Sequence, residues 1–187
     1  MESDSSSAGG GKPLLFWSVI IFVVTLDLVT KAMAVYGLSP SHFPHDVLGE
    51  WLRLTLVYNP GAAFGLHLGQ YSRWIFMALT TGALFILWRL YLATDGRDLR
   101  RTLALSLVCG GAVGNLIDRV RSNLGVVDFI DVGIGEHRWP TFNVADIAVS
   151  TGAFLLAWVL WMEDQELARA AATGPRNSAV PNDPRGA

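Results

Sequence analysis

Between residues 110 and 146 the chain reads GGAVGNLIDRVRSNLGVVDFIDVGIGEHRWPTFNVAD, beginning inside one apolar segment and ending at the entrance to another. This stretch places Asn115, Asp118, Arg119, Asp128, Asp131, Asn143 and Asp146 near an expected membrane boundary. Ionisable groups at that depth are costly and are functional candidates by default. Asp128 stands between Val127 and Phe129 in an apolar alternation that suggests a short strand, where desolvation raises a carboxyl pKa. Asp146 follows eighteen residues later (146 − 128). Two aspartates about a water apart cannot both ionise cheaply, so they share a proton. The ionised one takes a proton from water, which attacks a carbonyl; the protonated one polarises that carbonyl and later protonates the leaving amine. That chemistry needs no metal, no cofactor and no covalent intermediate, and no GxSxG, HExxH or P-loop pattern offers a rival catalyst.

Each of these residues also has a structural reading. Asn115, Asp118 and Arg119 fall at i, i+3 and i+4 and share one helical face, as part of a site or as a satisfied polar cluster at a helix end. Asn143 is a good N-cap and Asp146 resembles the acid of a capping box, so helix capping alone can account for both. It does not account for Asp128, a second isolated acid ahead of them. Asp131 can face either way and ranks below Asp128. Upstream, Asp27 and Lys31 in DLVTK are i and i+4. They form either a boundary pair with Lys31 snorkelling, or a site in which Asp27 faces a polar cavity and Lys31 fixes its charge. Residues 59–65, NPGAAFG, read as a low-bulk turn. It either joins strand to helix or lets the backbone approach a ligand, with Asn59 offering donor and acceptor.

The elements that must position these residues follow from hydropathy. Of 187 residues 51% are hydrophobic and only 16% charged, against roughly 25% in soluble domains. The apolar residues gather into four blocks, which indicates a small polytopic membrane protein. Spanning helices are predicted over 14–36, 74–92, 102–120 and 144–162, the first running about 34 Å. The AMA at 32–34 fits a signal-peptide cleavage pattern, but the preceding segment is not positive and Asp27 and Lys31 interrupt the apolar run, so the helix is read as retained. Gly110 and Gly114 form a small-xxx-small pair for close helix packing. Residues 51–58 alternate as a strand, and GLSPSHFPHD before it reads as loop. His42 and His45 lack a third ligand and read as exposed loop histidines rather than a metal site. Arg89, Arg97, Arg100 and Arg101 mark the connection between helices two and three as cytoplasmic. Four spans then put both termini in the cytoplasm and segments 37–73 and 121–141 outside. Residues 1–13 and 163–187 are polar and are expected to be disordered tails. A net charge of −2 without a basic stripe gives no support to nucleic-acid binding. Cys109, the only cysteine, excludes an internal disulfide and a thiolate metal cluster, and reads as a buried inert thiol.

Five blocks in order, DLVTK at 27–31, NPGAAFG at 59–65, GGAVGNLIDR at 110–119, VVDF at 126–129 and FNVAD at 142–146, resemble those of the lipoprotein signal peptidase (signal peptidase II) family. The resemblance covers residues 14–162 and leaves both tails outside it. It implies a four-helix membrane bundle with a small extracytoplasmic sheet, in the bacterial cytoplasmic membrane with the site towards the outer face. It implies an aspartic endopeptidase that removes the signal peptide of diacylglyceryl-modified prolipoproteins just before the lipid-bearing cysteine. The catalytic pair would be Asp128 and Asp146, with Asp118 the rival for the first role. Asp27, Asn59, Asn115 and Asn143 match positions that order the pocket or contact substrate backbone, and Lys31, Gly61, Gly111, Asp118 and Arg119 would support the site. The expected partners are the prolipoprotein and membrane lipid. A proton-coupled transporter using Asp27 and Asp118 would predict an internal repeat, of which the sequence shows none. A purely structural membrane protein would predict that Asp128→Asn leaves every assay unchanged.

Overall fold

Hydropathy and chain geometry together produce four helices and one small sheet in the described residues, 11–61 and 69–173 of a computed structural model. The helices are α1 (Gly11–Gly37), α2 (Ser72–Ala93), α3 (Leu99–Arg121) and α4 (Val144–Thr173). The strands are β1 (Pro44–Leu48), β2 (Leu52–Asn59), β3 (Val126–Ile134) and β4 (His137–Arg138). All four helices are long and apolar enough to cross a membrane, and each contains one predicted span. Side chains such as Ile21, Phe22, Leu79, Phe85 and Phe154 stay largely exposed, as expected of helices whose outer surface meets lipid rather than water.

The bundle is organised on α3. It packs against α1, α2 and α4, whereas α2 meets α1 chiefly through aromatic side chains, Phe16 and Trp17 against Trp88 and Tyr91. The buried face of α3 is built from small residues, including Ala104, Ser106, Gly110, Gly111 and Gly114. With no side chains in the way, neighbouring backbones approach closely. A Cβ on Gly110 would lie 2.9 Å from Val23 Cβ of α1, and one on Gly114 would lie 2.6 Å from Asp27 Oδ2. A Cβ on Gly111 would run into the carbonyl oxygen of Ala145 on α4. At one end of the bundle Phe16, Tyr91, Leu105 and Cys109 form a core, with Phe16 and Tyr91 stacked at 3.9 Å between ring centroids. At the other end Ala34, Leu38, Leu56 and Phe129 join α1 to the sheet.

The antiparallel sheet has the order β1-β2-β3-β4. Its β2 lies one residue along from the predicted strand at 51–58. Between β2 and β3 the register slips: Leu54 pairs with Ile130 but Val57 with Asp128, so β2 carries one extra residue, a β-bulge at buried Thr55 and Leu56.

The structure corrects three boundaries. Part of the segment read as loop is β1, whose first residue Pro44 costs no ladder bond at a sheet edge. Helix α1 begins at Gly11, inside the expected tail. Helix α4 runs eleven residues past Met162 (173 − 162), so 163–173 is helical rather than disordered. That run, EDQELARAAAT, is rich in good helix formers, and Glu163 pairs with Arg101 of α3. The rest of both tails, and Ala62 to Gly65 of the NPGAAFG turn, lie outside the described residues.

Candidate active site

Past the bulge, Val57 pairs with Asp128 and Asn59 with Val126. Residues two apart on a strand share a face, so Asn59 and Asp128 are diagonal neighbours. Asn59 Nδ2 donates to Asp128 Oδ2 at 3.1 Å. Asn59 Oδ1 accepts from Gly61 N at 3.0 Å, a local turn bond that holds the side chain in place. Gly61 has φ +115°, and a Cβ there would sit 2.7 Å from Phe76 Cδ2 of α2. Both conformation and space therefore demand glycine.

The segment leading into α4 is laced to β3. Trp139 N donates to Val132 O at 2.8 Å, Phe142 N to Ile130 O at 3.0 Å, and Phe142 O accepts from Phe129 N and Ile130 N. This lacing sets the start of α4 beside Asp128. Asn143 Oδ1 accepts from Asp146 N at 2.9 Å, and Asp146 Oδ2 accepts from Asn143 N at 3.1 Å. That is the reciprocal capping box. The cap leaves the Asn143 amide group free, and Nδ2 donates to Asp128 Oδ1 at 2.7 Å and to Asn115 Oδ1 at 3.1 Å. Capping and contact with Asp128 coexist in one fully buried side chain.

A second cluster lies behind. Lys31 Nζ is 2.8 Å from Asp27 Oδ2, 2.8 Å from Asp118 Oδ2 and 2.9 Å from Asn115 Oδ1. Two carboxylates and one amide oxygen surround the ammonium, the compensation a buried charge requires. Lys31 is 3% exposed, so it does not snorkel to the boundary. Asp27 Oδ1 accepts from Ala145 N at 2.9 Å, satisfying an orphan donor in the first turn of α4. Asp118 Oδ2 also accepts from Val127 N at 3.2 Å and so ties α3 to β3. Asn115 joins the clusters, because its Nδ2 donates to Asp146 Oδ1 at 2.8 Å.

Asp128 and Asp146 share the wall of a cavity of about 270 Å³ with Asn59, Gly61 and Arg119. Phe76, Trp139, Pro140, Thr141, Phe142 and Ser150 complete the wall. Arg119 is placed by a bond from Nη1 to Asn115 O at 3.1 Å and by the Phe76 ring, 5.6 Å from its guanidinium carbon. Asp128 is 2% exposed. Burial pushes its carboxyl from 3.8 up to about 7, and the charge of Asp146 adds to the rise. The amides of Asn59 and Asn143 and the charge of Lys31 oppose it. A carboxyl group that titrates near neutrality beside a second carboxylate can hold or release a proton on demand.

Asp27, Lys31, Gly111, Asn115, Asp118 and Asn143 therefore lie behind this wall rather than in it. Asp131 is separate: it accepts from Thr55 Oγ1 at 2.9 Å and Arg138 Nε at 2.7 Å, a clamp within the sheet. Sequence reasoning missed Phe76, Trp139 and Ser150 as wall residues, and Arg73, which bonds the Arg119 and Val120 carbonyls. On an apolar segment an aromatic or serine side chain carries no mark that separates a cavity wall from a lipid-facing surface.

Comparison with known proteins identifies the family. The family described as signal peptidase (SPase) II matches residues 19–162. The lipoprotein signal peptidase of Cupriavidus taiwanensis is 42% identical over 161 residues, covering 82% of this chain and 86% of that one. The lipoprotein signal peptidase of Burkholderia mallei is 36% identical over 162 residues, 84% of this chain and 94% of its own. Two solved bacterial membrane enzymes share the fold. One has TM-score 0.68 at 33% identity, covering 78% of this chain and 91% of its own. The other has TM-score 0.70 at 29% identity, covering 88% and 94%. With the match running through all five sequence blocks and all four helices, the chain belongs to the signal peptidase II family of membrane peptidases.

Proposed function

We propose that this chain is an intramembrane aspartic endopeptidase that removes the signal peptide from diacylglyceryl-modified prolipoproteins, cleaving just before the lipidated cysteine. The observation that carries the reading is the pair Asp128 and Asp146 on one cavity wall, both bonded to Asn143. Asp128, desolvated and titrating near 7, holds the proton; it polarises the scissile carbonyl and then protonates the leaving amine. Asp146 is the more exposed of the two and accepts from Asn115 and from the Asn143 backbone. It is the general base that takes the proton of the attacking water. Arg119, on the same wall, stabilises negative charge that develops on the carbonyl oxygen. The chain works from the bacterial cytoplasmic membrane. The arginines flanking the α2–α3 connection favour a cytoplasmic position for that end, which puts both termini inside and the sheet with its cavity at the outer face.

The test is cleavage of a diacylglyceryl-modified prolipoprotein by the purified protein in detergent, with folding of each variant checked. Asp128→Asn and Asp146→Asn are expected to abolish turnover, and a metal chelator to leave wild type unaffected. Asp118→Asn is expected to keep measurable turnover. Loss in Asp118→Asn and Asp146→Asn with activity kept in Asp128→Asn would transfer the first role to Asp118. An inactive wild type would overturn the peptidase assignment.

A further inference from the structure

A second cavity, of about 560 Å³, opens between the sheet end of α1, the last turn of α3 and the start of β3. It shares no lining residue with the Asp128 cavity. Its wall is layered. Leu28, Ala32 and Val35 of α1 form an apolar part, and Tyr36, Ser39 and Arg121 bring hydrogen-bond donors to the rim. Tyr36 is 94% exposed, and Arg121 is exposed and forms no ion pair among the described residues. At the floor lie Lys31 and Asp118, 2.8 Å apart, with Asp27 on the same ammonium. The floor therefore offers an anion no net positive charge, and the cation available to it is Arg121 at the rim.

Donors at the end of a spanning helix, above an apolar wall on the same helix, reproduce the depth profile of a phospholipid. Its phosphate sits at the boundary and its acyl chains lie beside the apolar turns below. A guanidinium suits phosphate because its fork of donors matches the oxygens. We propose that this cavity binds one membrane phospholipid, with the phosphate on Arg121, Tyr36 and Ser39 and an acyl chain along Leu28, Ala32 and Val35. A free phosphate would leave the apolar part of the wall unused, and an apolar peptide helix would leave the three donors unused. The diacylglyceryl group proposed for the substrate carries no phosphate, so this is a different site from the one its lipid occupies.

Native mass spectrometry of the full chain in detergent tests this, with phosphatidylglycerol, diacylglycerol and inorganic phosphate as probes. Wild type is expected to retain phosphatidylglycerol in preference to diacylglycerol. Arg121→Gln should weaken retention about tenfold, the effect of removing one charge-assisted bond. Arg100→Gln, which alters an exposed arginine outside the cavity, should leave it unchanged. Tyr36→Phe, a second exposed position, should give a smaller loss in the same direction. Equal retention of diacylglycerol, or undiminished binding in Arg121→Gln, would overturn the proposal. Displacement of the lipid by inorganic phosphate would reassign the site to a free anion and overturn it as a lipid site.

Discussion

Two carboxylate pairs occupy one hydrogen-bonded network at the sheet end of the bundle, and they differ in what faces them. Asp27 and Asp118 flank a lysine ammonium at 2.8 Å each. The side-chain oxygens of Asp128 and Asp146 accept from neutral donors instead: the Asn59, Asn143 and Asn115 amides and the Asn143 backbone. An ammonium shared between two carboxylates ties the segments that carry them together by ion pairing. Amides fix the position of a carboxylate but leave its charge to burial and to the neighbouring acid. The first pair is thus suited to hold α1, α3, β3 and α4 together, and the second to exchange a proton. Asn115 accepts from Lys31 and donates to Asp146, so the rigid pair orients the labile one.

The largest test of this contrast is catalytic. On the proposed mechanism Asp128→Asn or Asp146→Asn should lower kcat by at least about 10³-fold, with thermal unfolding in detergent nearly unchanged. An equal loss of activity without unfolding in Asp27→Asn would erase the distinction. Next in size, Lys31→Met leaves buried Asp27 and half-buried Asp118 without their cation and should cost about 3–5 kcal/mol, read as a lowered Tm. The double variant Asp27→Leu/Lys31→Met should recover part of it.

The pH response sharpens the contrast further. Native Asp128 titrates near 7 against 3.8 for an unperturbed carboxyl, so the folded state binds the extra proton between those values. Folding stability from this group therefore falls as pH rises from about 4 to about 7 and is level above. Asp128→Asn should remove that slope. The cleavage rate, which needs the proton, should fall about tenfold per pH unit above 7, measured as kcat against pH. The smallest effect is packing: Gly111→Ala forces α3 away from the Ala145 carbonyl and should cost about 1–3 kcal/mol in a melting experiment.

The spans were legible because twenty or so consecutive apolar residues have few other uses. The strand before Asn59 was legible from its alternation, and Asn143 and Asp146 from their position ahead of a helix. Strand β1 was not, since its prolines and histidines read as turn and only pairing with β2 makes it a strand. The end of α4 was not legible because its polar composition matches that of a disordered tail, while helix propensity and the Arg101–Glu163 pair carry the helix on.

By itself, then, the sequence determined the number of spans, the existence of a strand beside them and a short roster of acids and amides. Only the tertiary structure decided their partners. The β2 bulge brings Asn59 diagonal to Asp128, and the lacing of Phe142 to β3 lets a helix cap reach an acid on a strand. The crossing of α1 and α4 joins Asp27 to Ala145, 118 residues away in sequence. The reason is physical: hydropathy acts on each segment against its solvent and can be read locally, whereas a hydrogen bond depends on the register and approach of two segments, which no single segment encodes.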